Sequence, residues 1–127
     1  MTQSTTRLLL AEPNELMRAV LTERLKQESF HVLAVDNGLE ALDAITTGKA
    51  DIVISEELLP YRNGFELIRF ASEKDIPVII ISDADLEEKI MEAFELGATD
   101  FIDKPFSPNE LVVRVKNIVK NYKRVSS

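Results

Sequence analysis

The feature that most constrains this chain is the regular alternation of short apolar runs with longer segments of helical period. Five runs rich in β-branched residues recur along the chain, at residues 8–11, 32–35, 52–54, 78–81 and 101–102. Most of these runs are continuous, which is typical of strands covered on both faces of a parallel sheet. Strict alternation of strand and helix therefore predicts an open parallel α/β sheet with helices on both faces.

Apolar residues between the runs recur at the spacing of one helix face. The predicted buried positions are Met17, Val20, Leu21 and Leu25 in the first helix, Ala41, Leu42 and Ile45 in the second, Gly64, Leu67, Ile68 and Ala71 in the third, Ile90, Ala93, Phe94 and Gly97 in the fourth, and Leu111, Val115, Ile118, Val119 and Tyr122 in the fifth. Met91 is also expected at the core or its margin.

Residues at the predicted helix ends agree with this assignment. Asn37, Asp85 and Ser107 are predicted N-caps, and Ser107 is followed by a proline at the first helical position and by a capping-box glutamate. Gly48 and Gly97 occupy the positions where glycine commonly ends a helix.

Composition narrows the class of protein. The chain has 127 residues, which fits one domain, predicted at residues 7–123 with short flexible tails at 1–6 and 124–127. Cysteine is absent, and this suits a cytoplasmic protein without disulfides. A net charge of −7 argues against nucleic-acid binding, and no apolar run is long enough to cross a membrane. The single histidine, His31, offers no support for a zinc site.

Polar side chains follow four of the five predicted strands. Glu12 follows the first, Glu56 the third, Ser82 the fourth and Lys104 the fifth. Because parallel sheets place their sites at the carboxyl ends of strands, these side chains are expected to converge. Two carboxylates, a hydroxyl and an ammonium suit a pocket for a phosphoryl group or its mimic.

Seven motifs in order extend this pattern over most of the chain. They read LLLAE at 8–12, DNGLEAL at 36–42, DIVI at 51–54 leading to LLP at 58–60, NGFEL at 63–67, PVIIIS at 77–82, GATD at 97–100 and KPF at 104–106. Residues 7–122 thereby resemble the receiver domains of bacterial response regulators. The resemblance implies a flavodoxin-like fold of five strands and five helices with sheet order 2-1-3-4-5. It also implies that the protein acts in phosphorelay signalling and that its partner is a sensor kinase or an output protein.

The resemblance also assigns roles within the strand-end pocket, and here the sequence departs from the family. Ser82 and Lys104 match the residues that contact the phosphoryl group, and Glu12 matches the first of two metal-binding acids. The aspartate that accepts the phosphoryl group in the family is replaced by Glu56. The extra methylene of glutamate displaces the carboxylate, and a displacement of this size can slow phosphoryl transfer about 100-fold. The second acid is replaced by Pro13, which has no carboxylate. We therefore expect no cofactor, with Mg²⁺ binding at Glu12 and Glu56 weak or absent.

Three further residues complete the sequence-based hypothesis. Asp83 stands beside the hydroxyl, where its charge would repel a phosphoryl group unless it points outward. Phe101 occupies the position of an aromatic switch residue but has no hydroxyl. Glu57 is expected to point to the face opposite Glu56. Without a metal, Lys104 is expected to pair with Glu56, which would hold the domain permanently in either an active-like or an inactive-like conformation.

Several functions follow from this interpretation. The principal expectation is a non-enzymatic interaction module that signals without phosphorylation, with output from a partner or a larger parent protein. The alternatives are an inefficient phosphoacceptor and a small Mg²⁺-dependent phosphatase-like enzyme. Opposite charges on the last two helices, Glu88, Glu92 and Glu95 on the fourth against Arg114, Lys116 and Lys120 on the fifth, suggest a partner surface or a two-fold homodimer.

Overall fold

The computed structural model describes residues 6–83 and 86–122 and contains a single parallel sheet. Its strands are β1 (Arg7–Ala11), β2 (His31–Val35), β3 (Ile52–Glu56), β4 (Val78–Ser82) and β5 (Asp100–Asp103). Their spatial order is β2-β1-β3-β4-β5, and each neighbouring pair is parallel. The predicted flavodoxin-like receiver fold and its strand order are confirmed.

Five helices connect and cover the strands. They are α1 (Glu15–Lys26), α2 (Gly38–Thr46), α3 (Gly64–Glu73), α4 (Glu87–Leu96) and α5 (Pro108–Asn121). One core cluster joins buried residues of α2, α3 and α4 to one face of the sheet, and a second joins residues of α1 and α5 to the other face. Both faces of the central strands are buried, and this explains why their sequences are continuously apolar. No described helix has the length and apolar character needed to cross a bilayer.

Most predicted helix ends are correct. The side chains of Asn37 and Ser107 accept the backbone N–H three residues on, as predicted. A capping box forms at α3, where Asn63 and Glu66 exchange hydrogen bonds, whereas Glu110 bonds to Arg114 instead of closing the box predicted with Ser107.

The two predicted ends of α4 have different outcomes. The predicted N-cap Asp85 lies outside the described residues, and the N-cap of α4 is Leu86, which makes no capping bond through its side chain. Gly97 ends α4 with φ of 115°, a conformation that glycine adopts without strain.

Several predicted core residues are exposed. On α1, Leu21 and Leu25 are buried, but Met17 and Val20 face solvent. On α4 only Ala93 is fully buried, while Met91 and Phe94 are 55% and 45% exposed. The helical period therefore assigned the correct face, but it made the buried stripe too wide because short helices at the sheet margin bury fewer positions per turn.

Thr6, which the sequence analysis placed in a tail, lies next to the start of β1. It is buried, and its carbonyl accepts a hydrogen bond from the N–H of His31 at 3.1 Å. Thr6 therefore packs against the first residue of β2. The remaining residues of the two predicted tails, together with Lys123 of the predicted domain, lie outside the described residues.

Candidate functional site at the carboxyl ends of the strands

Glu56 is the last residue of β3, and its side chain is almost completely buried. Its Oε1 lies 2.7 Å from Nζ of Lys104, which follows β5. Lys104 is held there by a backbone bond, because its N–H donates to the carbonyl of Ser82 at 3.0 Å. The Lys104–Glu56 ion pair expected from the sequence is thus present, with a buried carboxylate and an ammonium that keeps 36% of its side chain exposed.

The backbone of Glu56 is held closely by the helix that follows. A Cβ on Gly64, at the start of α3, would collide with the carbonyl oxygen of Glu56. The N–H of Gly64 donates to the carbonyl of Glu57 at 2.8 Å. Only glycine permits this close approach. Gly64 of the NGFEL motif therefore allows the first turn of α3 to pack directly against the end of β3.

Glu12 is the second buried carboxylate of the site, with only 3% of its surface exposed. Its N–H donates to the carbonyl of Val35, and its carboxylate accepts the N–H of Asn14 at 2.9 Å. The guanidinium of Arg18 donates to its carbonyl oxygen at 2.9 Å. These bonds fix Glu12 at the turn into α1, where it adds negative charge next to Glu56.

The two carboxylates of Glu12 and Glu56 have one neighbouring ammonium, and this imbalance shifts the acidity of Glu56. Burial raises the pKa of Glu56 to about 7; the bond from Lys104 opposes this increase, and the charge of Glu12 adds to it. Burial lowers the pKa of Lys104, but Glu56 and then Glu12 outweigh burial, so that its pKa is raised. The second carboxylate oxygen of Glu56, Oε2, is buried and receives no hydrogen bond from the described residues. A proton on this oxygen would make it a donor towards Glu12.

Ser82 lies on the other side of the sheet from this ion pair. The register pairs Glu56 with Ile81, and this places Glu57 beside Ser82 on the opposite face. The Ser82 hydroxyl donates to Oε1 of Glu57 at 2.7 Å, and Lys89 of α4 pairs with Oε2 of the same carboxylate. The prediction that Glu57 points away from Glu56 is therefore correct, but the expectation that Ser82 converges with Glu56 is wrong.

Glu57 is the functional candidate that the sequence analysis missed. Its orientation away from Glu56 was predicted, but its partners on the opposite face were not. It is buried, yet bonds from Lys89 and Ser82 outweigh the effect of burial and lower its pKa. The strand register could have found it, because neighbours in a parallel sheet share a face. The site therefore consists of two carboxylate-centred pairs, Lys104–Glu56 and Glu57–Lys89, one on each face of the sheet.

The donor set at this site does not fit Mg²⁺. Mg²⁺ requires nearly octahedral oxygen ligands at short range. Pro13 is exposed and contributes no carboxylate, one oxygen of Glu56 contacts an ammonium, and Glu12 already accepts a backbone bond. Within residues 6–83 and 86–122, no three His, Cys, Asp or Glu side chains are grouped closely enough to hold a metal ion.

A cavity of about 520 Å³ opens beside the ion pair. Its polar wall contains Glu12, Asp83 and Lys104, and its apolar wall contains Met17 and Phe106. Asp83 is exposed at the rim, where its charge contributes to the raised pKa of Lys104. The carboxylate therefore adds negative potential at the mouth of the cavity and disfavours an incoming anion.

Comparison with known proteins decides the family. Residues 8–116 match the response regulator receiver domain. The chain belongs to the receiver domain family. It is similar to response regulator RR06 of Streptococcus pneumoniae, with 31% identity over 91% of this chain and 54% of that protein. It is also similar to the transcriptional regulatory protein RprY of Bacteroides fragilis, with 32% identity over 90% of this chain and 49% of that protein. The chain thus spans about half the length of these curated relatives.

A solved receiver structure agrees with this assignment. The non-phosphorylated HemR receiver domain of Leptospira biflexa superposes with a TM-score of 0.86 at 30% identity, covering 94% of this chain and 98% of that one. The receiver fold is therefore preserved in this chain.

Phe101, which the sequence resemblance places at an aromatic switch position, is buried. Phe101 on β5 is 8% exposed and packs in the same core cluster as α4 residue Ala93. Phe106 is half-buried against the opposite cluster. The ring of Phe101 therefore contributes to the core beneath α4, and it has no hydroxyl that could bond at the surface.

Several charged residues of α4 and α5 that were predicted to pair between two copies already have partners within the chain. Glu88, Glu92 and Glu95 are exposed on α4. On α5, however, Arg114 pairs within its own chain with Asp100 at 2.7 Å and with Glu110 at 2.9 Å. Lys116 pairs with Glu28 of α1. Lys120 is exposed, so the surface offers fewer uncommitted cations than the sequence suggested.

We predict that Glu57→Ala lowers the free energy of unfolding by about 1–2 kcal/mol, because the buried hydrogen bond from Ser82 to a charged carboxylate is lost. Lys89 loses its partner as well, so amide hydrogen exchange in the first turn of α4 should accelerate. Glu88→Ala, on the exposed side of α4, is the matched control and should change stability by less than about 0.5 kcal/mol. Equal exchange rates in the two variants would contradict the assigned role of Glu57.

Proposed function

We propose that this receiver signals through protein contacts without aspartyl phosphorylation. The observation that carries the proposal is the ion pair between Glu56 and Lys104, at 2.7 Å. It places an internal carboxylate against the lysine that, by resemblance, would contact a phosphoryl group. The site is therefore occupied from within the chain, and an incoming phosphodonor would have to displace a buried contact.

The remaining groups of the site support the same proposal. Ser82, the second expected phosphoryl contact, donates to Glu57. Asp83 adds negative charge at the cavity mouth, and Pro13 removes a metal-binding carboxylate. Charge compensation by a metal ion is a main means of stabilising phosphoryl transfer. The chain thus departs from a phosphoacceptor at the nucleophile, the metal position and the hydroxyl contact together.

The two carboxylate-centred pairs also suggest how the domain holds one conformation. Lys104–Glu56 ties the end of β5 to β3, and Glu57 ties β4 and α4 to the same strand end. Both sets of contacts join side chains of the chain itself. We infer that the arrangement of α4, β5 and Phe101 is fixed by the sequence and is presented to a signalling partner, such as a sensor kinase or an output protein, in the cytoplasm.

The partner surface that we propose lies on α4 and α5. Its acidic residues are exposed, and the apolar side chains of Met91 and Phe94 lie on the same helix. Aromatic and methionine side chains are enriched at the centres of interfaces, whereas charged side chains occupy the rim. A second copy of the chain is one candidate occupant. If it is the occupant, sedimentation should show a concentration-dependent dimer that Phe94→Lys abolishes; a wild-type monomer at all concentrations would assign the surface to another protein.

A phosphodonor experiment tests the proposal. We expect no covalent phosphate on the wild-type chain after incubation with acetyl phosphate and Mg²⁺, measured by intact mass. The double variant P13D/E56D restores both carboxylates at the matching positions and should gain phosphate, which provides the positive control. Phosphate on the wild-type chain would favour the inefficient phosphoacceptor and would contradict the proposal.

A further inference from the structure

The outer edge of β2 is an uncovered strand edge. Within residues 6–83 and 86–122, β2 pairs only with β1. The N–H of His31 donates to Thr6, and the carbonyl of Val35 accepts from Glu12. Because backbone bonding alternates along a parallel strand, the N–H and C=O groups of Val32 and Ala34 point away from β1. Such unpaired groups form a template for another strand.

A cavity lies along each side of this edge. On the α1 side, a cavity of about 620 Å³ has an apolar floor that includes Phe30 and Val32. On the α2 side, a cavity of about 320 Å³ is lined by Leu33, Val35 and Leu39. Leu33 lines both cavities and keeps 40% of its surface exposed. Successive side chains of an added strand would point alternately into the two cavities.

The two cavities differ in charge. Arg7, Lys26, His31 and Lys49 line the one on the α1 side. Arg7 pairs with Asp51, whereas Lys26, His31 and Lys49 form no ion pair with any residue of the described ranges. The α2 side presents apolar side chains with Glu40 and Asp43 at its rim, and Lys49 lies between the two cavities and lines both. In a chain of net charge −7, two lysines beside an open edge, Lys26 and Lys49, that form no ion pair within the described ranges favour an acidic ligand.

We propose that the outer edge of β2 binds an extended segment of a partner protein by strand addition, with acidic side chains on the α1 side and apolar side chains on the α2 side. Backbone hydrogen bonds to Val32 and Ala34 would set the register of the added strand on β2. The two cavities would select the side chains of the partner segment. This site lies on the far side of β1 from the Glu56 pocket, so the proposal does not depend on whether the receiver is phosphorylated.

The test is titration of the full chain with a short peptide of alternating glutamate and valine, followed by amide NMR. We expect saturable shifts centred on Val32, Leu33 and Ala34. N-methylation of the peptide on its edge-facing amides should weaken binding at least about fivefold, the loss expected for hydrogen bonds that cannot form. Replacing its glutamates with glutamine should weaken binding several-fold and remove its salt dependence.

Matched protein variants locate the charge contribution. Lys26→Gln with Lys49→Gln should weaken binding, whereas Arg69→Gln with Lys74→Gln makes the same charge change elsewhere and should leave it unaltered. Three results would overturn the proposal. The first two are equal binding of the N-methylated peptide and an absence of shifts on β2 at millimolar peptide. The third is a set of shifts on β2 caused by raising the protein concentration alone, because these would assign the edge to a second copy.

Discussion

Lys104→Ala is expected to lower the free energy of unfolding by about 2 kcal/mol at pH 8. The variant leaves the buried carboxylate of Glu56 without its neighbouring cation, a change that costs about 3–5 kcal/mol in a fully buried pair. We expect the smaller value because the Lys104 side chain is 36% exposed and solvent screens the interaction. Urea unfolding at pH 8 measures the effect.

The same variant should cost much less at pH 5.5. With the pKa of Glu56 near 7, its carboxyl group is largely protonated there, and the ammonium of Lys104 compensates little charge. Arg62→Ala is the control, since it breaks an exposed ion pair with Glu66 and should cost less than about 0.5 kcal/mol at either pH. A Lys104→Ala variant with unchanged stability at pH 8 would remove the ion pair from the account of this fold.

Glu56→Gln should change how stability depends on pH. Burial raises the pKa of Glu56 from 4.5 to about 7 in the folded chain. The folded state therefore binds the proton more tightly than the unfolded state, and this contribution is fully present below pH 4.5 and is lost as pH rises through 7. The loss is on the order of 3 kcal/mol across that window.

Comparison of wild-type and Glu56→Gln chains isolates this contribution from the other titrating groups. Glu57 has a lowered pKa, so its stabilising contribution is lost only as the pH falls below the ordinary glutamate range, and it is shared by both proteins. We expect the free energy of unfolding of the wild-type chain to fall relative to the variant between about pH 5 and pH 8. Parallel curves of stability against pH would contradict the assigned burial and charge environment of Glu56.

The sequence predicted the fold because local patterns and the global architecture agree. Continuous apolar runs such as residues 78–81 fit only a strand covered on both faces, and capping residues such as Asn37 and Ser107 define where helices begin. The order of the strands came from the family resemblance, since periodicity contains no information about which strands are neighbours.

The arrangement of side chains was less predictable because it depends on register and on competition between partners. Ser82 was expected beside Glu56, but the register places it beside Glu57. Arg114 was expected on a free basic surface, but it pairs within the chain with Asp100 at the start of β5. Phe94 fits the helical period, yet it lies beyond the edge of the core at the margin of the sheet. Contacts among residues distant in sequence decide each of these cases.

The Lys104–Glu56 pair was predictable because simple charge compensation applies to a buried site. Two buried carboxylates need a neighbouring cation, and Lys104 matches the lysine that the resemblance places in the pocket. The raised pKa of Glu56 was not predicted, since it depends on how completely the folded chain excludes solvent from that carboxylate.

The most direct test of the central claim is titration of the wild-type chain with Mg²⁺ and then with beryllofluoride, a mimic of the acyl phosphate, followed by amide NMR. We expect no saturable shifts at Glu12, Glu56, Ser82 or Lys104 through millimolar concentrations, and the P13D/E56D variant should respond under the same conditions. Saturable shifts clustered at those four residues in the wild-type chain would show a working phosphoacceptor site and would contradict signalling without phosphorylation.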